Sequence, residues 1–199
     1  MYKKIKGGLI MTRAELKSTA KEQIKGKIGI IFVMTLILAA ILGVCAFIPF
    51  VGGIASFIIT PAFSLSLCIV YLKLTKKEDI GVGDLFTGFN STGKALWLNI
   101  IISFFTFLWS CLFIIPGIIK SYSYSMAFYI LADNPELTAR EALRKSKEMM
   151  NGHKMELFVL QLSFILWYLL VGITFGLAAI YVTPYMSATV ANFYNSIKE

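Results

Sequence analysis

Residues 28–72 read IGIIFVMTLILAAILGVCAFIPFVGGIASFIITPAFSLSLCIVYL, a run of 45 residues without a single Asp, Glu, Lys or Arg. As one α-helix this run would be about 67 Å long, whereas the hydrocarbon core of a membrane is ~30 Å thick. The chain must therefore turn back within the run, and Pro49 followed by Gly52-Gly53 provides the turn signal. We expect one helix near 28–48 and a second near 54–72.

Two further uncharged runs predict the remaining membrane crossings. Residues 157–197 are again too long for one crossing, and Gly172 and Gly176 mark the turn between two helices. Residues 95–119 are long enough for one crossing, and a further helix is expected to start at Pro116, because proline suits the first position of a helix. The helices expected from these runs are 95–119, 116–132, 157–173 and 177–197.

The composition and the placement of charge indicate a membrane protein. Charged residues make up 15% of the chain and hydrophobic residues 57%, whereas a soluble domain is about 25% charged. With six crossings, 18 of the 19 Lys and Arg residues fall on one side, which the positive-inside rule assigns to the cytoplasm. Five crossings would place the basic residues between 140 and 154 outside. We therefore predict an all-α integral protein of the cell membrane, with six transmembrane helices as three hairpins and both termini in the cytoplasm.

Two segments that precede the long apolar runs resemble each other at a shift of 126 residues. Each begins with a Thr-x-x-Glu capping box and ends with a glycine, which predicts a short amphipathic helix on the cytoplasmic membrane surface. Its basic residues are expected to face anionic lipid headgroups. The corresponding residues are Thr12, Glu15 and Gly26 in the first segment and Thr138, Glu141 and Gly152 in the second.

The similarity continues into the hairpins, where Thr60-Pro61 matches Thr183-Pro184 at a shift of 123 residues. We interpret the single membrane domain as three units, 12–72, 84–132 and 138–197. The first and last form an internal repeat in this interpretation, and the middle unit is a degenerate third copy. The alternative is that the two segments are not copies and look alike only because membrane-surface helices contain the same few residue types.

Four motifs carry a resemblance to known proteins. They are 114–120 (IIPGIIK), 127–135 (AFYILADNP), 146–154 (SKEMMNGHK) and Asn192-Phe193-Tyr194. At these motifs the sequence resembles a bacterial multi-pass integral membrane protein family of unknown function. It is also distantly similar to the membrane domain attached to some glycerophosphodiester phosphodiesterases. The resemblance covers nearly the whole chain from Met11 onward and implies a helical membrane domain, without any agreed activity or site residues.

Polar residues in the helix expected at 116–132 form the candidate functional site. Polar side chains are costly inside a membrane, so those that occur there are often functional. Two rows share one side of this helix, since their members are four residues apart. The rows are Lys120 with Tyr124, and Ser121 with Ser125 and Tyr129. One interpretation is a polar track for a solute or an anionic headgroup. The other is that Lys120 extends to the membrane surface and the serines permit close helix packing.

Other polar features of the predicted helices have structural interpretations. The pairs Thr60-Pro61 and Thr183-Pro184 are candidate helix kinks, because proline removes a backbone hydrogen bond. Gln161 and Asn192 lie about one turn inside their helices and are expected to form hydrogen bonds between helices.

The chain lacks the clusters of carboxylates and histidines that hydrolysis needs, and its one histidine is His153. We expect no enzyme activity, no catalytic residue, no metal site, no cofactor and no nucleic-acid partner. Two functions stay open. The first is a non-enzymatic membrane component that acts through a protein or lipid partner in the cell envelope, and the second is a small transporter or lipid-handling protein that uses the polar track. The expected start of translation is Met1 or Met11, because Thr12 opens the first expected helix.

Overall fold

The computed structural model describes residues 11–48, 51–112 and 114–198, without the side chains of Val51, Leu112 and Ile114. Met1 and Pro49, to which the sequence expectations refer, lie outside the described residues. Every regular element in the described part is a helix, which confirms the all-α class there. The helices are α1 (Arg13–Ile24), α2 (Ile28–Ala46), α3 (Val51–Thr75), a 3₁₀ helix (Val82–Ser91), α4 (Thr92–Leu112), α5 (Ile114–Tyr124), α6 (Ala127–Asp133), α7 (Ala139–Met149), α8 (Lys154–Leu162), α9 (Ile165–Ile173) and α10 (Ala179–Ile197).

Four helical segments are long and apolar enough to cross a membrane. They are Ile28–Ala46, Gly52–Thr75, Val82–Cys111 and Lys154–Ile173. These candidate spans indicate a multi-pass membrane protein. The expected number of six crossings is not shown, because α10 and the pair formed by α5 and α6 are not among the four.

Two of the expected helices are interrupted in the structure. The helix expected at 116–132 is divided into α5 and α6 by a turn that begins at Ser125, and the helix expected at 157–173 is divided into α8 and α9 by a turn that begins at Ser163. In both turns the serine hydroxyl donates a hydrogen bond to the backbone carbonyl three residues earlier, at 2.8 Å and 2.5 Å. Such a bond gives the hydroxyl a local partner at the turn, but Ser121 makes the same bond within α5, so the bond alone does not explain the interruptions.

Three helices, α3, α6 and α10, form the centre of the bundle and are called the inner helices. The helix α3 packs against both α6 and α10. Tyr129 of α6 stacks on Tyr194 of α10, with ring centres 5.7 Å apart. Leu65, Val70 and Ala191 are among the buried residues of α3 and α10. The core therefore lies mainly along the second halves of α3 and α10, the two long inner helices.

The helices α2, α4 and α9 present large apolar side chains outward. Leu36 is 58% exposed, Phe107 is 70% exposed and Leu166 is 74% exposed. A soluble protein rarely leaves so large an apolar surface in contact with water, whereas lipid tails cover such a surface readily. This exposure pattern suits helices that face lipid.

The short elements α1, the 3₁₀ helix and α7 cover the inner helices. The helix α1 packs on α10, the 3₁₀ helix packs on α3, and α7 packs on α6 and α5. The Gly88 N–H donates to the Ser66 hydroxyl at 2.9 Å, which attaches the 3₁₀ helix to α3. The Ser146 hydroxyl donates to the Ser123 carbonyl at 2.9 Å, which attaches α7 to α5.

The predicted ends of α1 and α7 are confirmed. The hydroxyls of Thr12 and Thr138 each accept a hydrogen bond from the backbone N–H of the glutamate three residues later, at 3.3 Å, and both capping boxes are complete. Gly26 follows α1 with φ of 79°, and Gly152 follows α7 with φ of 88°. Both values lie in the left-handed region that favours glycine.

Candidate functional site

The polar residues of the predicted track on α5 are engaged with protein groups close to them. The Lys120 ammonium lies over the Trp109 ring of α4, 4.8 Å from the ring centre. The hydroxyls of Ser121 and Ser125 each donate to the backbone carbonyl three residues earlier, at 2.8 Å. These contacts are those of side chains that stabilise packing.

The two tyrosines of the predicted track lie in different helices. Tyr124 is the last residue of α5 and is 7% exposed. Tyr129 belongs to α6 and stacks on Tyr194 of α10. The turn at residues 125–126 separates Tyr129 from the helix that carries Ser121. A role for this track in moving a solute or a headgroup stays a prediction.

Both Thr-Pro pairs lie inside helices that continue through the proline. Pro61 is buried within α3 and Pro184 is buried within α10, while Thr60 and Thr183 are exposed. Each proline lacks the N–H that would bond to the carbonyl four residues earlier. The two pairs thus occupy matching environments, and the expected kinks stay a prediction.

The predicted hydrogen bonds of Gln161 and Asn192 between helices are confirmed. The Tyr122 hydroxyl donates to Gln161 Oε1 at 2.7 Å and joins α5 to α8. Asn192 exchanges two amide hydrogen bonds with Gln23, at 3.1 Å and 2.8 Å, and joins α10 to α1.

Asp133, at the end of α6, connects the ends of all three inner helices. Its side chain is only 7% exposed. The carboxylate accepts hydrogen bonds from the Tyr194 hydroxyl at 3.1 Å and from the Lys198 ammonium, both near the end of α10. The Lys76 ammonium, just after α3, lies 3.5 Å from the other carboxylate oxygen. We call this group of four side chains the Asp133 network.

The partners of Asp133 lower the pKa of its carboxyl group. Burial raises the pKa of Asp133, but Lys198, Tyr194 and Lys76 together outweigh burial and hold that pKa below its ordinary value. In the sequence, Asp133 follows the helix expected at 116–132 and belongs to the motif 127–135. The network could not be found there, because Lys76 and Lys198 lie far from Asp133 in the sequence.

A cavity of ≈ 460 Å³ lies beside the Asp133 network, between α6, α7 and the end of α10. We call it the α7 cavity. The buried side chain of Tyr194 contributes to its wall. Its polar and charged lining residues are Asn134, Lys145, Glu148, Asn151, His153 and Lys198.

A second cavity of ≈ 410 Å³ lies between α1, the start of α2 and the residues that follow α3. We call it the α1 cavity. Both cavities lie at the end of the bundle where the inner helices finish, which we call the basic end. Near the α1 cavity, the Lys27 ammonium forms an ion pair with Asp79 at 2.6 Å. The charged lining residues of the α1 cavity are Glu22, Lys25, Lys27, Lys77 and Glu78.

Comparison with known proteins gives one match. Residues 11–120 and 112–199 match the family described as Protein of unknown function (DUF975). No curated protein and no solved structure was found to match the chain.

Proposed function

The chain belongs to the DUF975 family, and from that premise we propose that it is a non-enzymatic protein of the cell membrane that acts through a lipid or protein partner. The observation that carries this proposal is the gathering of charged groups at the basic end. There the Asp133 network joins the inner helices, and both cavities are lined by charged side chains. Partner binding is proposed at this end of the molecule.

The proposed topology has six crossings in three hairpins, with both termini and the basic end in the cytoplasm. Besides the four candidate spans, the crossings are the pair α5 and α6, and the helix α10. Support comes from the positive-inside count, because 18 of the 19 Lys and Arg residues then share the cytoplasmic side. The membrane partners proposed for this side are lipids with anionic headgroups.

We infer that the units 12–72 and 138–197 are copies of one ancestral unit. The buried faces of α1 and α7 support this inference, since their members correspond at a shift of 126 residues. These members are Leu16, Ala20 and Ile24 in α1, and Ala142, Ser146 and Met150 in the second copy. The residues before α2 and α8, Lys27 and His153, also share the same backbone angles, φ of −105° and ψ of −2°.

The second helices of the units support the same inference. The hydroxyls of Ser66 in α3 and Thr189 in α10 are buried, and each donates to the carbonyl four residues earlier, at 3.0 Å and 2.7 Å. These residues correspond at a shift of 123. In the middle unit, the buried Ser123 makes the same kind of bond at 2.9 Å. This likeness supports a degenerate third copy.

A small transporter or lipid-handling protein is the second candidate function. The observation that favours it is the interruption of two apolar segments, at Ser125 and at Ser163, because discontinuous helices often form the binding sites of transporters. In this alternative Lys120 attracts an anionic group to the polar track.

Purification in mild detergent from native membranes, followed by mass spectrometry of everything retained, separates the two functions. We expect the wild type and Lys120→Ala to retain the same lipid or stoichiometric protein partner. Lys120 contacts Trp109 away from the basic end, so its removal should leave partner binding unchanged. The matched control is Lys120→Arg, which keeps a cation that can lie over the ring.

Two results would contradict this expectation. A ligand lost from Lys120→Ala and retained by Lys120→Arg would support the transporter alternative. If neither lipid nor protein were retained by any of the three forms, the partner role itself would be refuted.

A further inference from the structure

The α7 cavity brings together cationic and amide groups from three separate parts of the chain. Lys145 lies within α7, His153 follows α7, and Lys198 follows α10. The side-chain amides of Asn134 and Asn151 belong to the same lining, and the Asn134 amide donates one of its two hydrogens to the Ile130 carbonyl at 3.1 Å. Ammonium and amide donors that converge on one cavity are the groups that bind phosphate oxygens.

Two of these three side chains contact a carboxylate directly. Lys198 is paired with Asp133, and His153 contacts Glu156 at 2.7 Å. Glu148, the acidic residue in the lining, lies 3.9 Å from the guanidinium of Arg144. Within the described part of the chain, the Lys145 ammonium has no ion pair within 4.0 Å. The Glu141 carboxylate, one helical turn before Lys145, interacts with this ammonium electrostatically without a direct ion pair. An anion in the cavity would therefore meet an ammonium that no carboxylate contacts directly.

The α1 cavity is the natural comparison, because its lining corresponds to that of the α7 cavity at a shift of 126 residues. Five positions of the α1 cavity, Thr19, Glu22, Gln23, Lys25 and Lys27, correspond to Lys145, Glu148, Met149, Asn151 and His153. The α1 cavity has a threonine where the α7 cavity has Lys145. It also has a second acidic residue, Glu78. The ammonium groups of Lys25, Lys27 and Lys77 also line the α1 cavity, so the two cavities differ in the position of their cations and in the second acidic residue.

The size and the wall of the α7 cavity restrict the kind of anion. A volume of ≈ 460 Å³ lies within the range of about 300–1,000 Å³ typical of small-molecule sites. A bare phosphate ion would leave much of this space unfilled. Ile130, Tyr194 and Ile197 supply apolar and aromatic surface beside the polar groups. The cavity thus suits a phosphate that carries an organic substituent.

We propose that the α7 cavity binds the phosphate group of an organic phosphate, with Lys145 as the principal cation and Asn134 and Asn151 as further donors. This inference rests on the proposed function, and it names the site and the ligand chemistry of the partner. At the basic end two sources share this chemistry, an anionic lipid headgroup and a soluble phosphate ester.

The test is calorimetric titration of the full-length protein in detergent with three probes. Dioctanoyl phosphatidylglycerol represents the lipid headgroup, glycerol 3-phosphate represents the soluble ester, and dioctanoyl phosphatidylcholine is the zwitterionic control. We expect Lys145→Gln to weaken the binding of the anionic probe about tenfold, because it loses a charge-assisted contact to phosphate. The matched control is Lys147→Gln, since Lys147 is exposed on the same helix but does not line the cavity.

The outcomes distinguish the two sources of the phosphate group, and they distinguish a failure of the proposed site from a failure of the proposed function. Saturable binding of phosphatidylglycerol alone, with the tenfold loss only in Lys145→Gln, supports the site and identifies a lipid headgroup. The same pattern with glycerol 3-phosphate supports the site and identifies a soluble ester. Equal loss in both variants, binding as tight for phosphatidylcholine, or no saturable binding of any probe overturns the inference. If a partner is nevertheless retained in the purification from native membranes, only the cavity is refuted and the proposed function stands.

Discussion

Replacing Gly88 with alanine is expected to lower the free energy of unfolding by about 2–4 kcal/mol. A Cβ atom at Gly88 would lie 2.3 Å from the Ala62 carbonyl oxygen and 2.7 Å from the Ser66 backbone nitrogen. Both are backbone atoms of α3, so neither can move aside without displacing the helix. The displacement would also break the hydrogen bond from the Gly88 N–H to the Ser66 hydroxyl. Equilibrium unfolding in mixed detergent micelles measures the loss.

Gly83→Ala is the matched control for this experiment. Gly83 lies in the same 3₁₀ helix, and a Cβ atom there would meet nothing within 4 Å. We expect the free energy of unfolding to change by no more than about 0.5 kcal/mol. Equal losses in the two variants would show that the 3₁₀ helix does not pack against α3 as described.

Asp133→Asn is expected to lower the free energy of unfolding by about 1.5–3 kcal/mol. The substitution keeps the shape of the side chain and removes the negative charge that Lys198 and Lys76 contact. Because this carboxylate joins the ends of α3, α6 and α10, its loss should also loosen their packing. The same unfolding experiment measures the effect, and hydrogen exchange near the end of α10 reports the loosening.

Asp79→Asn provides the control for the loss of a paired aspartate. Asp79 is fully exposed and forms an ion pair with Lys27 alone. Exposed pairs contribute little to stability, so no measurable change is expected. If Asp79→Asn destabilised the protein as much as Asp133→Asn, the burial and convergence of the Asp133 network would have no special role.

The effect of Asp133 should also depend on pH. Its pKa is lowered in the folded protein, so its carboxylate stabilises the fold above the unfolded-state pKa of about 3.9. This stabilisation is lost as the pH falls through the folded-state pKa. The difference in stability between the wild type and Asp133→Asn should therefore be full at neutral pH and should narrow under acid conditions.

The features that were predictable from the sequence depend on neighbouring residues. The capping boxes at Thr12 and Thr138 and the glycines that follow α1 and α7 involve residues within one or two turns of each other. Apolar runs without charge predicted helices for the same local reason, and the four candidate spans agree with that pattern. The amide contacts of Gln161 and Asn192 were expected because a polar group inside a bundle needs a partner.

The features that the sequence did not reveal are the two helix interruptions and the contacts between residues that are distant in the sequence. Ser125 and Ser163 lie in apolar runs that favour continuous helices, and only the observed turns show that their hydroxyls bond to the chain. The Asp133 network joins residues that are more than 50 positions apart. The α7 cavity likewise needs three segments, so a search of one helix for polar rows could not find it.

In the proposed topology the chain crosses the membrane six times and the basic end lies in the cytoplasm. Lys145 and Leu177 distinguish this topology from one in which only the four candidate spans cross. With six crossings, Lys145 is cytoplasmic and Leu177 lies on the outer side. With the four candidate spans alone and the same cytoplasmic N-terminus, the segment between Cys111 and Lys154 lies outside and Leu177 lies inside.

Labelling of single cysteines in intact cells with a maleimide that does not cross the membrane distinguishes the two topologies. Lys145→Cys and Leu177→Cys are each placed in a chain whose three native cysteines have been replaced. We predict that Leu177→Cys is labelled in intact cells and that Lys145→Cys is labelled only after the cells are opened. The reverse pattern, with Lys145→Cys labelled in intact cells and Leu177→Cys protected, would rule out six crossings and support four.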